Sequence, residues 1–187
     1  MKALLIAGSR NPEGQTARAA EAILQGVMKA GGEVERVWLP TLHLEHCHQC
    51  NPQGWGGCRQ MGRCGGCDDD FAELVDRVQA ADAVIFATPV YWGDLSESMR
   101  AFTDRLRRIS THEDGKKKLQ DKIAVGVCVA GGGGGGSPTC CVSLDKVLRT
   151  CGFDVVDLLP VRRQNLPAKL AQLALVGEWL ATLPRSS

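Results

Sequence analysis

The sequence predicts an α/β domain, a doubly wound five-stranded parallel sheet with helices on both faces. Three observations carry this. Apolar runs of strand length alternate with segments whose apolar residues recur at helical spacing. The runs are continuously hydrophobic, as strands buried on both faces are. The 187 residues show no internal repeat or second domain, and that length suits one domain with a substantial core.

The first run, KALLIA at 2–7, breaks at Gly8. Residues 16–30 read as a helix with Ala20, Ile23, Leu24, Val27 and Met28 on one face, ended by Gly31-Gly32. Residues 33–39 form a second strand, with Val34 and Val37 among charges, as suits an edge. A cysteine-rich loop follows at 46–67, and Asp68-Asp69-Asp70 can cap a helix at 71–80. Residues 83–87 are a buried strand. Leu95, Met99, Phe102, Leu106 and Ile109 make 95–109 an amphipathic helix. Lys116-Lys117-Lys118, after Asp114-Gly115, reads as a solvated loop. A fourth strand at 123–130 leads to a helix at 138–150 and a fifth strand near 153–159. The last helix begins near Pro167, a favoured first-turn position, and carries Leu170, Leu173, Val176, Leu180 and Leu183.

Composition narrows the function. The chain is 44% hydrophobic and 23% charged with a formal net charge of +1, so nothing points to nucleic acid or an anionic membrane surface. The apolar stretch at 3–7 is too short for a signal-peptide core, and no stretch approaches a membrane span. The expected location is the cytoplasm, where thiols stay reduced. Clustered cysteines there bind metal or do redox chemistry more often than they form disulfides.

In open parallel sheets, ligands bind outside the carboxyl ends of the strands. Three loops lie there. GSRNPEGQT, at 8–16, offers backbone N–H groups at a helix start, hydroxyls from Ser9 and Thr16, and charge from Arg10. It lacks the dinucleotide glycine spacing, and Gln15 stands where a Walker lysine would. A phosphomonoester held without metal fits it; an ordinary polar turn is the plainer alternative. TPVYWGD, at 88–94, places Pro89, Val90, Tyr91, Trp92 and Gly93 at the binding edge, where a flat ring fits. The alternative packs both aromatics into the core or a subunit contact, and one of the two is expected there. The glycines 131–136, with Gly131, Gly132 and Gly133 nearest the strand, let main chain approach a ligand closely.

The fourth loop, HCHQCNPQGWGGCRQMGRCGGC, holds five of the nine cysteines. Tetrathiolate sites suit both iron–sulfur clusters and zinc. Cys47-x-x-Cys50 with Cys64-x-x-Cys67 approaches a zinc-ribbon pattern. His46 and His48 read as solvent-facing, and Cys128, Cys140, Cys141 and Cys151 as buried.

GSRNPEGQT, TPVYWGDLSESMRAFTDR and the glycine loop before a helix ending in CGF resemble the flavodoxin-like NAD(P)H-dependent FMN reductase family over nearly the whole chain. Within it the sequence is most similar to the iron-sulfur flavoproteins, which carry a compact cysteine motif before an acidic pair that opens a helix. The resemblance implies FMN, with its phosphate on Ser9, Asn11, Gln15 and Thr16 beside Gly14, and its isoalloxazine against 89–93 with the glycine loop alongside. It also implies a 4Fe-4S cluster. Family order, three cysteines and then one, assigns Cys47, Cys50, Cys58 and Cys64 as ligands with Cys67 spare, once an insertion at 51–57 is allowed. The expected function is an oxidoreductase taking electrons from NAD(P)H or a small electron-carrier protein. No side-chain acid or base is assigned, and the resemblance suggests a homodimer or tetramer. The alternatives are a non-enzymatic FMN/Fe–S electron-transfer module and a flavoprotein with structural zinc.

Overall fold

The computed structural model describes residues 1–183. The elements follow in order: β1 (Lys2–Ala7), α1 (Gln15–Lys29), β2 (Glu33–Trp38), α2 (Gly57–Met61), α3 (Phe71–Ala80), β3 (Ala83–Pro89), α4 (Glu97–Ile109), α5 (Glu113–Lys117), β4 (Ile123–Ala130), α6 (Ser137–Cys151), β5 (Asp154–Arg162) and α7 (Leu166–Leu180). A 3-10 turn, Leu39–Thr41, closes β2. All five strands are parallel, in the order β2-β1-β3-β4-β5. This is the flavodoxin-like order, and its direction reverses between β1 and β3, where such folds bind ligand.

Alternation along each strand splits the core in two. Leu4, Ile6, Val84, Phe86, Ala124 and Cys128 face α3, α4 and α6. Ala3, Leu5, Ile85, Val125 and Val127 face α1 and α7. On that second face the helices touch main chain to main chain: a Cβ added at Gly26 would lie 1.9 Å from the Ala174 carbonyl oxygen, and one at Gly177 would lie 1.9 Å from that of Ile23. Only glycine at both positions allows so close a crossing.

Several expectations need correction. Met28 is 41% exposed, off the apolar stripe of α1. Residues 113–117 form the short helix α5, and Lys116 and Lys117 lie in it. Neither Tyr91 nor Trp92 enters the core of the chain. The strand near 153–159 runs on to Arg162, because β5 is an edge and tolerates Pro160. Asp70 makes no side-chain cap on α3; Asp69 Oδ1 accepts from Phe71 N at 3.3 Å instead. Cys128, Cys140, Cys141 and Cys151 are buried as expected. Among the described residues no helix is long and apolar enough to cross a membrane.

Candidate functional site

A cavity of about 1000 Å³ opens at the carboxyl ends of β1, β3 and β4. Its first wall is the loop into α1. Asn11 shapes that loop locally: Glu13 N donates to its Oδ1 at 2.9 Å, and Gly14 N to its main-chain oxygen at 3.2 Å. Gly14, the N-cap of α1, supplies no side-chain acceptor, so the first-turn N–H groups face the cavity without a cap of their own. Ser9, Gln15 and the buried Thr16 line this wall, as do Asn11 and Gly14.

The second wall is the turn after β3. Tyr91 and Asp94 exchange two main-chain hydrogen bonds of 3.0 Å each, and Trp92 (φ 53°) and Gly93 (φ 81°) both take the left-handed conformation. That is a type I′ turn. Asp94 fixes it, accepting from Leu95 N and the Arg100 guanidinium. Burial would raise the Asp94 pKa, but Leu95 N, Ser143 and Arg100 together hold it below the usual carboxylate range. Pro89, Val90, Tyr91 and Trp92 line the cavity, and the Trp92 ring stands fully in solvent.

The third wall is glycine main chain, 131–135. Arg162 Nη2 and Gln164 Nε2 hold it from the end of β5, donating to Gly133 and Gly132 carbonyls at 3.3 and 3.2 Å. The first two walls are tied by a buried hydroxyl hub. Ser96 Oγ donates to Gly8 O at 3.0 Å, Ser98 Oγ donates to the same oxygen, and Thr88 Oγ1 accepts from Ser96 N at 3.1 Å.

Of the residues expected here, two do not line the cavity. Arg10 points to solvent, and Gly93 backs onto Gly136, where an added Cβ would lie 2.7 Å from Gly93 Cα. Glu13 and Arg18 line it unforeseen. The set fits FMN: an uncapped helix start for a phosphate, and glycine-lined main chain for a ring.

A second, narrow cavity gathers Cys47, Cys50, Cys58, Cys64 and Cys67. Cys58 is carried on α2. Small residues make room: a Cβ on Gly66 would lie 2.3 Å from Cys50 Sγ. Two arginines of α4 hold the loop. Arg108 donates to Gly54 O and stacks, as Arg59 does, on Trp55. Arg105 is buried, pairs with the buried Asp69, and donates to Cys64 Sγ at 3.3 Å. Burial pushes the Cys67 thiol up to about 11, with Arg105 opposing. Periodicity contains the signal for Arg105, which stands three residues after Phe102 and four before Ile109, on the buried stripe.

One group of three metal-capable atoms within 4.8 Å occurs among the described residues: Glu45, His48 and Cys67. A single tetrahedral ion with metal–sulfur bonds of about 2.3 Å needs its sulfurs within about 4 Å of one another. The four thiols of the zinc-like set are not drawn together to that spacing.

A family model described as NADPH-dependent FMN reductase matches residues 1–161. An iron-sulfur flavoprotein of Methanocaldococcus jannaschii is 31% identical over 126 residues, 67% of this chain and 62% of that one. One of Archaeoglobus fulgidus is 35% identical over 106 residues, 57% of this chain and 46% of that one. The chain thus spans about half to two thirds of the length of these relatives. Among solved structures, an NAD(P)H:quinone oxidoreductase from Methanothermobacter marburgensis superposes with a TM-score of 0.72 at 17% identity, covering 100% of this chain and 99% of that one.

Proposed function

Since the chain belongs to the NADPH-dependent FMN reductase family, we propose that it is an FMN-dependent oxidoreductase of the iron-sulfur flavoprotein type. Electrons enter from NAD(P)H or a small carrier protein and leave through a 4Fe-4S cluster or an external acceptor. The observation that carries the reading is the presence in one domain of two separate sites, a glycine-walled cavity at an uncapped helix start and a five-thiol cavity beside α4. Bound FMN supplies hydride acceptance and single-electron release. The α1 N-terminus with Ser9, Asn11, Gln15 and Thr16 binds the phosphate, and the turn at 91–94 and the glycine main chain position the ring.

Flavin released by heat is expected to run as FMN on chromatography; FAD, or no flavin after reconstitution, overturns the cofactor assignment. Thr16→Ala removes a hydrogen bond to a charged group, so FMN affinity should fall by about 1.5–3 kcal/mol, roughly 10- to 150-fold, in a fluorescence titration. Turnover with NADH or NADPH separates the enzyme from a pure electron-transfer module.

The ligands proposed for the cluster are Cys47, Cys50, Cys58 and Cys64. After anaerobic reconstitution with iron and sulfide, serine at any of these four positions should abolish the cluster absorbance, and Cys67→Ser should retain it. Loss in Cys67→Ser but not in Cys58→Ser exchanges the two. The case for iron rests on the names of the relatives, which are iron-sulfur flavoproteins, together with the five thiols gathered in one cavity. Self-association as a dimer or tetramer belongs to the same proposal.

A further inference from the structure

We propose that Arg105 is a positioning residue for the thiol site, one that orients Cys64 and sets the reduction potential of the group held there. The inference rests on the cluster reading above. Arg105 stands on α4, yet its side chain is only 2% exposed, because the far-away loop 46–67 folds over it. Its donors close the neck of that loop. Nη1 donates to Glu45 O at 3.1 Å, just before the first cysteine, and both Nη atoms donate to the Asp69 carboxylate, just after the last. The second hydrogen of Nη2 goes to Cys64 Sγ. The Phe71 ring lies 4.1 Å below the guanidinium carbon and holds its plane.

One donor is left over. Arg105 Nε is buried and has no hydrogen-bond partner, the one such side-chain atom among the described residues. Buried N–H groups are almost always paired, so an orphan on a residue lining a thiol cavity points to an acceptor that belongs in that cavity. Cluster sulfide is an acceptor of the right softness and charge.

The electrostatics have a definite sign. One-electron reduction adds a negative charge at the site. A guanidinium donating to a ligand sulfur in a water-poor setting stabilises the reduced form, and hydrogen bonds to sulfur are a recognised control of cluster potential. Arg105 should therefore raise the potential.

The test uses the full chain, reconstituted anaerobically with ferrous iron and sulfide, and titrated with dithionite in the presence of redox mediators. Electron paramagnetic resonance of the reduced cluster keeps its signal apart from flavin. The variant is Arg105→Met with Asp69→Asn, which removes the hydrogen bond to sulfur without leaving a buried carboxylate unpaired. Iron content should stay near the wild-type value or fall, and the midpoint of any loaded cluster should shift to lower potential. Arg105→Lys, which keeps charge but loses the planar fork, should lie between the two and decides the matter if circular dichroism shows the double variant unfolded. A wild-type midpoint in a folded, loaded variant overturns the inference alone, whatever its iron content. A wild-type chain that takes up no iron overturns this inference and the cluster reading together.

Discussion

Asp69→Asn is expected to cost about 3–5 kcal/mol of stability, the usual consequence of removing one member of a buried ion pair. The Asp69 side chain is 1% exposed and accepts from both terminal nitrogens of Arg105, from Glu45 N and from Phe71 N. Burial alone would raise its pKa, yet these donors hold it below the ordinary carboxylate value. Asparagine loses the charge and turns an N–H₂ toward guanidinium hydrogens, so Arg105 is left buried and uncompensated. Against a total of about 5–15 kcal/mol for a domain, this is a large fraction. In reducing, anaerobic buffer the urea midpoint should fall by 1 M or more, given slopes of about 1–3 kcal/mol per molar. A loss under 1 kcal/mol would mean that the pair is solvated and that the neck of the cysteine loop is held by something else.

The second large effect is expected at the helix crossing. Gly177→Ala places a methyl carbon 1.9 Å from the Ile23 carbonyl oxygen and 2.9 Å from Val27 N, both main chain. Alanine favours helix over glycine by about 1 kcal/mol. Overpacking against an unyielding backbone costs about 1–3 kcal/mol and occasionally more, and the steric effect should win here. A net loss near 2 kcal/mol is expected by urea denaturation, and a similar one for Gly26→Ala. A stabilised Gly177→Ala chain would show that α1 and α7 stand farther apart than described.

The sheet was legible because its central strands are buried on both faces. Residues 3–7, after Lys2, and 123–130 are runs free of charged residues, and β1 and β4 have the bounds read from them, 2–7 and 123–130. Edges were harder, since β5 runs past Pro160 to an arginine. Short helices such as α2 and α5 carry too few turns for periodicity to register. The three loops that wall the large cavity were legible from their position after strands. Arg10 and Gly93 do not line the cavity, and a loop's sequence does not say which of its residues turn inward. Arg105 was missed for a different reason. Helical spacing put it on the apolar stripe, but its partners, Glu45, Cys64 and Asp69, come from a segment whose path no local rule gives. Arg162 and Gln164 escaped likewise, reaching the glycine loop across a sheet edge.

The glycine crossing also bears on biosynthesis. The helix that opens the first wall of the large cavity is made near the start of the chain, and the helix that crosses it at glycine is made near the end. At translation rates of roughly 5–20 residues per second, α1 waits on the order of 8–30 s for its partner. During that interval the small, flat face around Gly26 has nothing against it. The crossing is therefore one of the last contacts of the fold to form, and α1 has only the sheet to pack on until α7 has emerged.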